Sequence, residues 1–137
     1  VASSEALFIE VNVKPKTYKD GYLKELWRKA VKAEYGERCV KCGAMPVECH
    51  HIVRRAKSML SNDWRNGIPL CHEHHRWAHT LEGRLWVYDK IGEERLDYLT
   101  ERDCDMKTYL VQHGMTRADF GKMTSKDLKD KIKSVDE

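Results

Sequence analysis

Eight side chains between Cys39 and His79 are spaced as metal ligands: Cys39, Cys42, His50, His51, Cys71, His74, His75 and His79. Six of the seven His and four of the five Cys of this 137-residue chain fall in that one stretch. Thiolate and imidazole are the donors that zinc and its transition-metal neighbours take. Their concentration in one short segment points to coordination chemistry.

Spacing divides the donors. Cys39-x2-Cys42 and Cys71-x2-His74 are two pairs with the same short gap. Such pairs make a closed tetrahedral zinc site, which would staple the turn before a strand to the start of a later helix. A small domain with a modest core gains folding free energy from that clip. Cys49 and Cys104 have no partner at ligand spacing and read as free thiols.

His50, His51, Asn66, His75 and His79 remain. On one helix, His75 and His79 are i and i+4 and share a face, half of a second metal site. His74 lies at another azimuth and is free to serve the zinc. Neighbours on a strand point to opposite sides. One of His50 and His51 therefore reaches the second metal, and the other faces a different position near a substrate. The carboxamide of Asn66 offers an acceptor for an imidazole N–H and could fix its tautomer.

The elements that must position these groups predict an α+β fold. Residues 1–18 form an N-terminal arm, in which 8–13 alternates as a short strand before Pro15. From 19 to 34, Leu23, Leu26, Trp27, Ala30 and Val31 make an apolar helical stripe, with Asp20 as N-cap and Gly36 as the stop. Lys24, Arg28, Lys29 and Lys32 read as its solvated face. A tight knuckle over 39–46, a strand over 47–53 and an irregular loop over 57–63 follow. Asn66-Gly67 marks a turn into a short extended piece, and 71–82 reads as one helix. The rest is mostly helical, punctuated by Gly92 and Gly114, with Thr116-x-x-Asp119 as an approximate capping box. Trp64, Trp77 and Trp86 read as core. The division is an arm (1–18), a central domain with its leading helix (19–99) and a helical extension (100–137).

Composition sets the remaining bounds. Hydrophobic residues are 41% and charged residues 34%, as in globular domains. No apolar run approaches a membrane span, and the first residues lack a signal-peptide pattern. Five Cys without a secretion signal favour thiolate metal binding in a reducing compartment, so a cytoplasmic location is expected. A net charge of +3 is compatible with a nucleic-acid partner.

Taken together, His50-His51-Ile52, then Asn66, then His75-x3-His79 resembles the H…N…H signature of the HNH endonuclease family, whose fold is the small ββα-metal core. The spacings look like those of the colicin-type DNase branch, and the flanking Cys pairs like zinc-stapled HNH proteins of phage and bacteria. The resemblance is strong over 35–80 and weaker up to Leu99. It implies His51 as the general base, Asn66 as the residue that orients it, and His50, His75 and His79 as ligands of a catalytic divalent ion. That ion would be Mn2+, Mg2+, Ni2+, Co2+ or Zn2+, beside the structural Zn2+ on Cys39, Cys42, Cys71 and His74. The zinc-stapled members usually have Cys where this chain has His74. The implied activity is single-metal hydrolysis of DNA phosphodiesters to 5′-phosphate and 3′-hydroxyl ends, in the cytoplasm of a bacterial or phage-infected cell.

Arg54, Arg55 and Lys57 are the candidate phosphate contacts. Double-stranded DNA is the expected substrate. Sequence preference should be weak, because no helix-turn-helix or finger array is recognisable. A protein partner or homodimer stays open. The competing reading is a non-catalytic zinc module that binds nucleic acid, which would need neither His51 nor Asn66.

Overall fold

The first helix is shaped by its apolar stripe. In the computed structural model, which describes residues 18–54 and 58–136, α1 spans Asp20–Tyr35 and buries Leu23, Trp27, Ala30 and Val31. Lys19, not the expected Asp20, stands at its N-cap; Asp20 lies in the first turn, where its charge opposes the helix dipole's positive end. Gly36 ends it at φ 89°, a conformation costly for any residue with a Cβ. The arm and its expected strand over 8–13 lie outside the described residues.

Two short strands follow. β1 (Glu48–His51) pairs antiparallel with β2 (Gly67–Leu70), placing Glu48 opposite Leu70, His50 opposite Ile68 and His51 opposite Gly67. β1 is shorter than the extended run of 47–53. A 3-10 turn over Trp64–Asn66, capped by the Asp63 side chain, delivers the chain into β2. All four β2 residues are buried, because α1 covers one face and the second core the other. Gly67 makes that approach feasible: a Cβ there would lie 2.5 Å from Val31 Cγ2 and 2.8 Å from Trp27 Cζ2.

The helix expected over 71–82 is two helices. α2 covers His72–Trp77 and α3 covers Leu81–Ile91. Thr80 causes the break. Its hydroxyl accepts from Gly83 N–H as N-cap of α3 and donates to Trp77 O. Thr and Ser at such positions compete with continued helix by bonding the backbone locally. α4 (Glu93–Arg102), α5 (Met106–His113) and α6 (Arg117–Asp136) complete the chain. The Thr116/Asp119 capping box forms in both directions, at 3.0 and 3.3 Å.

Two hydrophobic cores flank the sheet. Trp27, Ala30 and Val31 of α1 meet Leu128 of α6, which lies along α1. Cys39, Ile52, Leu60, Ile68, Leu70, Ala78, Val87 and Leu99 make the other. Each fully buried aliphatic side chain contributes about 1.5–3 kcal/mol from water exclusion. Of the expected core tryptophans, Trp64, Trp77 and Trp86 are only half-buried, whereas Trp27 is 1% exposed. Glu34 on α1 joins Arg95 on α4 to Lys131 on α6, at 3.1 and 2.6 Å. The architecture is therefore α+β, mostly helical, with one two-stranded antiparallel sheet among the described residues.

Candidate metal centres

The knuckle and the start of α2 assemble the four-donor cluster. Gly43 N–H donates to Cys39 O at 2.8 Å and Cys39 N–H to Ala44 O at 2.9 Å, which folds the Cys39–Cys42 turn tightly. Val40 N–H donates to Pro69 O at 3.1 Å and docks the knuckle on β2. Cys71 then caps α2, its sulfur facing His74 N–H. The result brings together Cys39, Cys42, Cys71 and His74 with all ligand atoms within 4.8 Å of one another.

The donor set fits zinc. Zn–S bonds of about 2.3 Å and Zn–N bonds of about 2.0–2.1 Å require tetrahedral edges of about 3.8 Å (S to S) and about 3.6 Å (S to N). The observed edges are 3.8 Å for Cys42–Cys71, 3.7 Å for Cys39–His74 and 3.3 Å for Cys71–His74. Burial pushes the Cys39 thiol up, but N–H groups of Cys71, Cys42 and Lys41 outweigh it and bring its pKa down to about 6. Thiolate is the form a metal takes. Cys49 and Cys104 stand apart as free thiols, Cys49 against Arg28 O.

A second cluster lies where β1 faces α2. His50, His75 and His79 also bring their ligand atoms within 4.8 Å of one another. Their ring centroids are 5.1, 5.2 and 5.4 Å apart. His79 reaches it from the turn after α2, not from the same helix as His75. The ladder tightens there: Ala78 N–H still reaches back four residues to His74 O, but His79 N–H reaches only three, to Arg76 O. His79 thus stays beside His75 although the helix has ended.

Each imidazole has its own surroundings. His50 is 3% exposed, and its Nδ1 is buried with no partner among the described residues. An unpartnered buried polar atom is costly unless something binds it, so this nitrogen suits a ligand. Burial, then the neighbouring His75 and His79, bring the His50 pKa down to about 3. His75 Nδ1 meets Glu48 Oε1 at 2.6 Å; a carboxylate only accepts, so Nδ1–H donates and Nε2 keeps its lone pair. Glu48 also accepts from His72 at 3.2 Å. His79 Nδ1 meets Arg54 Nη1 at 2.9 Å, and burial, then Arg54, His75 and Arg84, hold its pKa below the usual value.

β1 alternation places His51 on the other side, towards α1. Its ring stacks on Trp27, centroids 4.1 Å apart and planes 7° from parallel. Its Nε2 donates to Ser61 O at 2.9 Å, since a carbonyl only accepts. Nδ1 is therefore the nitrogen with a free lone pair. Burial first, with Lys24, Arg54 and His75 as cationic or polar neighbours, lowers the His51 pKa, and the Ser61 bond opposes this only in part. Burial thus favours the neutral ring.

The expected amide-to-imidazole bond is not made. Asn66 is 0% exposed and ties the loop after β1 together. Its Oδ1 accepts from Val53 N–H at 2.7 Å, and its Nδ2 donates to Val53 O and Leu60 O at 3.1 and 3.2 Å. Val53 N–H and Val53 O have no other partner among the described residues and claim the carboxamide, whereas Leu60 O also accepts from Asp63 N–H at 3.1 Å. Asn66 reaches His51 only through this loop, whose next residue, Ser61, carries the accepting carbonyl.

Three participants escaped sequence reasoning: Glu48, Ser61 and Trp27. Glu48 had a readable signal, being two residues before His50 and so on the same strand face. Arg54 stands at the three-imidazole cluster, whereas Arg55 and Lys57 lie outside the described residues. No helix among the described residues is long and apolar enough to cross a membrane. No protein-family model matches the chain, and comparison with curated proteins and with solved structures gave no match either.

Proposed function

We propose that this protein is a metal-dependent endonuclease of the HNH type, with β1, β2 and α2 as a ββα-metal core. One observation carries the reading. Adjacent residues of a single strand serve two different environments: His50 enters a cluster of three imidazoles, while His51 is fixed with a free Nδ1 beside it. Metal binding alone has no use for a held, neutral, half-buried imidazole next to its ligands.

The chain's residues then divide the work. His51 Nδ1 takes a proton from a water molecule, whose oxygen attacks the phosphodiester phosphorus in line. The bond from phosphorus to the 3′ oxygen breaks, leaving a 5′-phosphate and, after protonation from solvent, a 3′-hydroxyl. Ser61 O and the Trp27 face hold the imidazole plane, and the imidazolium formed stays hydrogen-bonded to Ser61. Arg54 offers a guanidinium to the phosphate oxygens. His50, His75 and His79 would hold a divalent ion, which would supply Lewis-acid stabilisation of the charge that develops on phosphate. The Cys39, Cys42, Cys71 and His74 cluster holds the knuckle against the site. On this reading the substrate is double-stranded DNA, cut with weak sequence preference in the cytoplasm of a bacterial or phage-infected cell.

The test is plasmid cleavage with Mn2+, Mg2+, Ni2+, Co2+ or Zn2+. Wild type should cut, and His51→Ala should lose about 10²–10⁴-fold in rate while still binding metal. A wild type inert with every ion sinks the nuclease reading and leaves a zinc-stapled nucleic-acid-binding module.

A further inference from the structure

The contact between Arg54 and His79 conflicts with a metal ligand's needs. A guanidinium carries only donors, so His79 Nδ1 must accept at 2.9 Å. A neutral imidazole has one lone pair, and its other nitrogen then bears the proton. While Arg54 holds Nδ1, His79 has nothing to give a metal. His50 and His75 each retain an unengaged lone pair: that of His75 is on Nε2, and no hydrogen bond ties up His50 Nδ1 among the described residues. The cluster therefore offers two ligands with Arg54 engaged and three with it gone. Arg54 is exposed, at the mouth of the cluster, and its fork geometry matches a phosphate.

We propose that Arg54 and a divalent ion compete for His79, and that a phosphodiester oxyanion, by taking the Arg54 guanidinium, frees His79 and tightens binding of the ion. Substrate and metal then strengthen each other by the same factor, because linkage between binding sites is reciprocal. The ion is held best when DNA is present. This inference rests on the three-imidazole metal centre of the reading above, but not on hydrolysis.

Its test is a calorimetric Ni2+ titration of zinc-loaded protein. Arg84 is the control, a second cation acting on His79 without a hydrogen bond to it among the described residues. Arg54→Ala should bind Ni2+ about tenfold more tightly, as expected from loss of one charge-assisted hydrogen bond. Arg84→Ala, which removes the same charge, should stay within about threefold of wild type at this exposed site. In a His51→Ala background, which keeps DNA intact, a short duplex should tighten Ni2+ binding about tenfold with Arg54 present and at most about threefold in Arg54→Ala. Equal effects of the two alanine variants, or a duplex effect independent of Arg54, overturn the competition. Absence of Ni2+ binding in every variant instead overturns the metal centre, and cleavage assays then judge the nuclease reading separately.

Discussion

Gly67→Ala tests the joint between α1 and the sheet, on which the placement of His51 depends. Gly67 has φ −151°, which any residue adopts, so the substitution adds volume without backbone strain. The new methyl would lie 2.5 Å from Val31 Cγ2 and 2.8 Å from Trp27 Cζ2. Neither neighbour yields cheaply. Val31 is 0% exposed and branched at Cβ, and Trp27 is 1% exposed, stacked on His51 and bonded through Nε1 to Asp63 O at 2.8 Å. Overpacking of this kind costs about 1–3 kcal/mol. The lower entropy of the unfolded alanine chain returns about 0.4–1 kcal/mol. With two rigid neighbours inside 3 Å the cost lies in the upper part of that range, so a net loss of about 1–2 kcal/mol remains, which at about 3–5 °C per kcal/mol for a domain of this size lowers Tm by roughly 3–10 °C. Thermal unfolding by circular dichroism reads this directly. The neighbour is checked by adding Val31→Ala: the double variant should be more stable than the sum of the single losses by at least about 0.5 kcal/mol. A Tm within about 1 °C of wild type, or strict additivity, would show that helix and strand are not in contact at this point.

Three other outcomes follow from the site. Asn66→Ala leaves Val53 N–H and Val53 O without a partner, Leu60 O keeping Asp63 N–H, and should cost about 2–4 kcal/mol in urea denaturation; a loss below about 1 kcal/mol would mean that the loop is held by other contacts. Glu48→Ala should weaken Ni2+ binding at the three-imidazole cluster about tenfold or more by freeing the His75 ring, and zinc content should not change; unaltered Ni2+ affinity would refute the orienting role. Burial, with His75 and His79, holds the folded His50 pKa at about 3 against 6.5 in the ordinary state. The unfolded chain therefore binds more protons between those values, so stability should rise with pH across that window and be lost as pH falls through it. His50→Gln should flatten that part of the pH profile of the urea midpoint, and an unchanged slope would contradict the assignment.

Legibility in the sequence followed how locally each feature is determined. The stripe of α1 was readable because Leu23, Trp27, Ala30 and Val31 repeat at helical spacing, and the four-donor cluster because its pairs are each three residues apart. The α+β class followed from those elements. The break at Thr80 was not readable from His75 and His79. Their spacing suits one helix, but Thr80 caps a new one through a competing bond to Gly83 N–H. A single tightened turn keeps the two imidazoles together, so the pairing survived although its assumed support did not.

The partners of Asn66 were illegible for a more instructive reason. Its residue type announced a carboxamide with a structural task, yet the partners lie 6 and 13 residues away on a loop whose path no local pattern fixes. The imidazole N–H went instead to Ser61 O, a backbone group that has no signature in any sequence. The same logic applies to Trp27, 24 residues from His51 and placed on it only by the packing of α1 against β2 at Gly67. The buried backbone groups at a loop's ends must first be satisfied, and only then is a neighbouring carbonyl held in place for a side chain such as His51. Orientation of His51 is consequently a property of the whole α1–β2–loop assembly. Any substitution that loosens this assembly should disturb His51 before it disturbs His50, His75 or His79, which are positioned by β1, α2 and the turn after α2.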